Sequence, residues 1–395
     1  MVTDLEWREE WTASLLEIRR HLHQYPELSF QEFQTFHYIA SCLESWGIPF
    51  RQVGETGIVA EIAGEKGEGP HIGIRADMDA LPIEEKTGLP FASCHPGVMH
   101  ACGHDGHMAI LLGTALHLHR RRTEWAGRVR CIFQPGEEAE GAAQRMIDQG
   151  VLQHPRVDAM LALHLWPHLP LGTIGVKYGT VTASCDDFSI EIAGKAGHSA
   201  RPHQCVDAIA ISAQVLQALS LLVTKEHNPI DPVVVHVGTI HGGTASNVVA
   251  DRVVLTGTAR TVSNETREML KQRLSRLAVN TAITFGGTAR VRFTQGHPPV
   301  INDDRITRAV EESAAEILGP GSVQVLTEPS MGADDFGAFS QRVPSAYIRL
   351  GVGQEGLPVY DLHHPQFQFD DAVIPIGVKV LGWTLRSRLL KGAGT

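Results

Sequence analysis

The sequence predicts an α/β protein: a mixed, largely parallel sheet sandwiched by helices, with a ferredoxin-like α+β domain inserted into it. Three observations carry this expectation. The chain has 395 residues, 43% of them hydrophobic, which is enough for two cores. Strand-like apolar runs alternate with helical stripes through the first half, the pattern of a parallel sheet covered on both faces. Near Thr182 the texture changes to strand, helix, strand, strand, helix, strand, and the earlier pattern resumes after Pro299. The expected domains are residues 1–183 with 298–395, and an insert at 184–297.

The elements follow in order. Trp7, Trp11, Leu15, Ile18 and Leu22 repeat at helical spacing, so a helix is expected near 5–24, ended by Pro26. Ser29 and Glu32 have capping-box spacing ahead of the stripe Phe33, Phe36, Ala40 and Leu43. Gly47 and Pro49 close that second helix. Strands are expected at 58–63 and 71–75, the second running into "RADMDALPI" and placing Asp77 and Asp79 just past its end. Ligand sites of open α/β sheets lie at that edge. A helix near 106–119 turns Met108, Leu111, Leu112 and Ala115 inward. Strands follow near 128–133 and in "DAMLALHLWP", which is expected to end at His164. In the insert, helices are expected near 206–224 and 265–282, with strands near 188–192, 233–240, 252–258 and 290–293. Beyond it come a helix near 304–318, strands near 323–326 and 346–350, and a last helix near 372–390.

Composition removes some functions. Net charge is −10, and the one basic run, Arg120 to Arg122, sits at a helix C-terminus, so a nucleic-acid partner is not expected. No apolar run is expected to approach the roughly 18 residues that span a bilayer. The first residues, "MVTDLEWREEW", are acidic and lack an apolar signal region. Six cysteines are scattered with no C-x-x-C pair, so reduced thiols and a cytoplasmic enzyme are expected.

The densest chemistry is "HACGHDGH", His100 to His107, with three histidines, a cysteine and an aspartate in eight residues. Imidazole, thiolate and carboxylate are the donors of divalent transition metals. A two-metal centre needs further donors and a base beside a water. Glu137, Glu138, His164 and His363 or His364 each lie in a loop or at an expected strand end. Adjacent residues of a regular element point apart, so one of Glu137 and Glu138 can ligate while the other serves as general base. A lone histidine is more often structural than a ligand. His203, His236 and His241 are read that way, and Cys42, Cys131, Cys185 and Cys205 as small apolar residues.

"RADMDALP", "HACGHDGH", "FQPGEE", "LHLWP", "GKAGHSARP", "GGTASNVVAD", "GADDF" and "LHHP" occur together and in order. With them the chain resembles the aminoacylase-type di-metal amidohydrolases. This is the branch of hippurate hydrolases and indole-acetyl-amino-acid hydrolases, related to the glutamate carboxypeptidases. The resemblance implies a fold like the co-catalytic zinc exopeptidases, with the insert as lid and dimerisation domain of a homodimer or homo-oligomer. It implies two divalent ions per subunit, Mn, Zn, Co or Ni. Cys102 would be shared by both, His104 and His164 would complete one ligand set, and Glu138 and His363 the other. Glu137 would be the general base and then acid, and Asp79 an acid orienting a ligand. His198 would steady the oxyanion, in a partner's site. Asn247 and Arg260 would contact the substrate carboxylate or carbonyl. The "LH-x-P" frame favours His363 over His364. Asp334 stands where relatives carry Glu, which puts inherited substrate preference in doubt. The implied reaction is hydrolysis of an N-acyl-amino acid. The rivals are a dipeptidase or carboxypeptidase on the same scaffold and a non-catalytic metal-binding protein.

Overall fold

The computed structural model describes residues 9–390 except 140, 295 and 357, so Trp7 and the start of the first expected helix lie outside the described residues. The chain divides into two compact units. The first comprises residues 1–181, 301–328 and 338–395, and the second 182–300 and 329–337. The segment "GADDF", residues 332–336, therefore lies whole in the second unit, a placement that the expected boundary at 298 did not suggest.

The first unit is built on an eight-stranded sheet. Its strands include β1 (Phe50–Val53), β2 (Gly57–Ala63), β3 (His71–Asp77), β4 (Arg128–Gln134) and β5 (Ala159–Pro170). The order is β1-β2-β4-β3-β5, followed by Ser345–Gly353, Ile174–Val176 and Val323–Val325. β3 runs parallel to β4 and β5, and β5 parallel to Ser345–Gly353, while the β2 edge is antiparallel. The mixed, largely parallel α/β expectation holds. β3 is buried throughout, as an apolar strand covered on both faces must be.

Helices α2 (Phe33–Trp46) and α3 (His104–Arg120) pack on this sheet, and α1 (Glu9–Gln24) packs on α3. α3 is buried at every residue from His104 to Leu118, not on one stripe, because it lies between α1 and the helix Val373–Thr384. Gly113 makes that approach possible: a Cβ there would lie 2.5 Å from Leu15 and 2.7 Å from Val378.

Three local expectations fail for physical reasons. The capping box does not form, since Glu32 makes no cap bond to α2. Glu27 instead accepts from the amides of Gln34 and Thr35, and Ser29 donates to Asp79 at 2.6 Å. β5 does not stop at His164 but continues to Pro170, because Ser345–Gly353 pairs alongside it over that length. In the second unit, Ala208–Glu226 is long and apolar enough to cross a membrane, contrary to the reading of the sequence. It packs by one face, with Ala208, Ile211, Val215, Leu219 and Leu222 buried at helical spacing and Ile209 and Leu221 exposed on the other.

The second unit is a four-stranded antiparallel sheet ordered Val233–Gly242, Arg252–Thr261, Asp186–Ala193, Thr288–Phe293. Ala208–Leu221 and Asn264–Thr284 share its core. This is the ferredoxin-like order. Asp207 and Ser263 cap the two helices by accepting from amides of their first turns.

Candidate metal centre

The donors converge at the carboxyl end of the first unit's sheet. β3 ends at Asp77, the bend after β4 carries Glu137 and Glu138, and β5 carries His164. α3 begins at His104, two residues after Cys102.

Two groups of donor atoms form around one thiol. Cys102, His104 and His164 bring ligand atoms within 4.8 Å of one another, and so do Cys102, Glu138 and His363. Cys102 Sγ lies 3.5 Å from His164 Nε2, and His363 Nε2 lies 3.1 Å from Glu138 Oε1. Glu137 and Glu138 share a third such group with His104. Both glutamates thus reach one place, against the expectation that neighbours point apart. They sit on a bend, outside any regular element, where that rule does not apply.

The imidazoles are oriented as ligands. His104 Nδ1 donates to the Asp79 carbonyl at 2.8 Å, and His164 Nδ1 donates to the Leu165 carbonyl at 2.7 Å. Each Nε2 therefore keeps its lone pair, and His104 Nε2 is buried with no partner among the described residues. A divalent ion fits these donors: thiol, imidazole and carboxylate oxygen, with a buried lone pair aimed into the group.

The other histidines of the dense stretch do not join the groups around Cys102, although His107 lies in a further one with Asp77 and His104. His107 spends both nitrogens: Nδ1 donates to Asp77 at 2.6 Å and Nε2 accepts from the Leu165 amide at 2.9 Å. His100 is buried outside every donor group, and burial pushes it down to about 4. His364 stacks on Tyr360 and accepts from the Gln366 amide, while its neighbour His363 sits in the left-handed region at φ 65°. That conformation is costly for a residue with a Cβ and is typical of functional sites.

Asp79 is a bracket. Its Oδ1 accepts from the Glu137 amide at 3.0 Å and its Oδ2 from the Glu138 amide at 2.9 Å. Burial alone would raise its carboxyl, but His104, Ser29 and the Glu138 amide hold it below the usual range. Burial likewise opposes ionisation of Asp77, and is outweighed by His104, Arg75 and His107, which hold it well below the usual range. Burial would lower His104, yet Asp77 and Asp79 raise it to about 10, so a proton and a dication compete for its Nε2. Burial and the carboxylates of Glu138, Glu137 and Asp77 push the Cys102 thiol well above its ordinary value. A dication reverses that logic and favours the thiolate.

The remaining candidates belong to the second unit. His198 is exposed on a short ribbon, paired with Val248, and its Nδ1 accepts from the Ala200 amide at 3.1 Å. That leaves Nε2 as the outward donor of the neutral ring. Asn247 is exposed on the same ribbon, its carbonyl accepting from the Ser199 amide. Arg260 is half-buried and donates to the Met331 carbonyl at 2.8 Å. Asp334 is buried and accepts from the Phe336 amide at 2.8 Å.

Along residues 73–387 the chain matches the model of peptidase family M20/M25/M40. It belongs to that family. Among M20 relatives, the N-acetyl-L-cysteine deacetylase of Bacillus subtilis is 42% identical over 362 residues, 91% of this chain and 84% of that protein. Thermostable carboxypeptidase 1 of Saccharolobus solfataricus is 36% identical over 380 residues, 95% of this chain and 94% of that protein. The crystal structure of the Bacillus subtilis YxeP protein, a dinuclear metal-binding M20 peptidase, has a TM-score of 0.85 at 36% identity. It covers 97% of this chain and 99% of that one. The chain is an M20 amidohydrolase of the aminoacylase branch. It hydrolyses an amide bond with the help of divalent metal ions.

Proposed function

We propose that this M20 enzyme hydrolyses N-acyl-amino acids of the N-acetyl, N-benzoyl or aryl-acetyl type, releasing a carboxylic acid and an amino acid. The observation that supports it is the pair of donor groups sharing Cys102 Sγ, with Glu137 beside them. His104 and His164 would hold one divalent ion and Glu138 and His363 the other, with the Cys102 thiolate available to both. Bound Mn, Zn, Co or Ni supplies Lewis acidity to the reacting water and the amide carbonyl.

The chain's own groups do the rest. Glu137 takes the proton of the attacking water and delivers it to the departing amine nitrogen. Asp79 keeps that carboxylate aimed by holding the amides of Glu137 and Glu138. His198 donates from Nε2 to the developing oxyanion in a partner subunit's site. Asn247 and Arg260 bind the substrate carboxylate or carbonyl. The homodimer this requires forms through the second unit, whose edge strand Val233–Gly242 leaves Val234 and Ile240 exposed.

The test is a panel of N-acetyl-, N-benzoyl- and indole-acetyl-amino acids against plain dipeptides, on metal-stripped enzyme reloaded with Mn, Zn, Co or Ni. Turnover of the acylated amino acids above the dipeptides is expected. The carboxypeptidase relative favours a second reading, and preference for dipeptides would establish it in place of the first.

A further inference from the structure

The bend that carries Glu137 and Glu138 leaves β4 outside any ladder, so nothing in the sheet fixes it. Three consecutive amides of the bend are instead held by buried carboxylates from distant parts of the chain. Asp79 takes those of Glu137 and Glu138. The first, Gly136, donates to Glu32 Oε1 at 2.8 Å.

Glu32 is fully buried, and its bonds all point at backbone and framework. Oε1 also accepts from the Phe30 amide at 2.9 Å, and Oε2 from Thr56 Oγ1 at 2.9 Å. The same loop braces the second carboxylate, since Ser29 Oγ donates to Asp79 Oδ2 at 2.6 Å. It also closes the bend sterically. Gly136 has φ 65°, and a Cβ there would meet the Phe30 ring at 2.6 Å.

We propose that Glu32 is a positioning residue of the amide-hydrolysing site. It fixes the Gly136 end of the bend, so that Glu137 is aimed at the reacting water and Glu138 at its metal. This rests on the roles given above to Glu137 and Glu138. Displacing a catalytic group by about 1 Å can cost roughly 100-fold in rate, and losing an outer support of a ligand costs roughly 10- to 100-fold in metal affinity.

The experiment compares Glu32→Ala and Glu32→Gln with wild type, measuring folded fraction, kcat and KM on an N-acetyl-amino acid, and Zn affinity by chelator competition. In folded Glu32→Ala, kcat should fall about 10- to 100-fold with KM within about twofold, and affinity for one of two Zn ions should fall about 10-fold or more. Glu32→Gln should recover most of kcat. Its carbonyl oxygen still accepts from both amides, and the Thr56 hydroxyl can turn to accept from its NH₂. Placed in a Glu137→Ala background and assayed at Zn concentrations that fill both sites, Glu32→Ala should cost no further kcat, whereas a purely structural role would give an additive loss.

Unchanged kcat in folded Glu32→Ala, or an additive loss in that background, overturns the proposal. Should Glu32→Ala not fold, Glu32→Asp replaces it: the shorter carboxylate withdraws from Gly136, and the same losses are expected. Should Glu137→Ala itself leave turnover intact, the assignment of the base fails separately. Glu32 is then judged on Zn affinity alone, and unchanged affinity overturns it.

Discussion

One sulfur atom sits in both donor groups, and this makes Cys102 unlike the other ligands. Cys102→Ala should bind neither ion tightly, whereas His363→Ala should keep close to one ion per chain; metal analysis after gel filtration reads the difference. Glu137→Ala should keep both ions and lose about 100- to 10,000-fold in kcat, the usual contribution of a general acid–base. Full turnover with metal bound would sink that role. The donor types were legible in the sequence because "HACGHDGH" is too dense in them to be a core face. Which histidines had a free lone pair was not legible. His107 is disqualified by the Leu165 amide, fifty-eight positions away, and no local pattern records that bond. The choice of His363 over His364 came from motif register, and the backbone turn that separates them, φ 65°, has no sequence signal in a histidine.

Elements are joined by buried polar links as much as by apolar packing. α1 docks on α3 through Arg19 and His23, which meet Asp105 at 2.8 and 2.9 Å, and His23 also reaches Glu85. Burial alone would raise Glu85, but His23, Thr87 and the Ser93 amide hold it at about 2. A carboxyl lowered in this way stabilises the fold above its ordinary 4.5, and that stability is lost as pH falls toward 2. Glu85→Gln should therefore flatten part of the fall in melting temperature between pH 4.5 and 2, which scanning calorimetry would detect; an identical acid limb would refute the link. At α2, Glu27→Ala removes the acceptor of two first-turn amides and should cost about 1 kcal/mol, read as a lower melting temperature. Here the sequence misled. Ser29 and Glu32 have the spacing of a capping box, yet both are drawn to stronger partners around Asp79 and Gly136, and Glu27 does the capping. The α2 stripe was legible in part: Ala40 and Leu43 are buried and Phe36 partly so, but Phe33 is exposed and Ile39, outside the stripe, is buried in its place.

For the whole molecule, the two units have separate cores, and the long elements followed from hydrophobic period and turn residues, while the short strands Phe50–Val53 and Ile174–Val176 and the helix Ala142–Asp148 did not. If His198 completes a partner's site, mixing inactive His198→Ala and Glu137→Ala chains should restore up to about a quarter of wild-type turnover, from the one competent site of a mixed dimer. No recovery on mixing would argue against action in trans. The bend after β4 has a consequence for how this enzyme can be cut or copied. The match to the family model begins at residue 73, and every candidate ligand lies beyond that point. Ser29 and Glu32, which steady the bend, lie before it. A fragment or graft limited to the matched residues would inherit a full set of donors and Asp79, but would lose the hold on Gly136 and the brace behind Asp79. On the role proposed for Glu32, the connection between α1 and α2 serves the catalytic bend without contributing an atom to the chemistry.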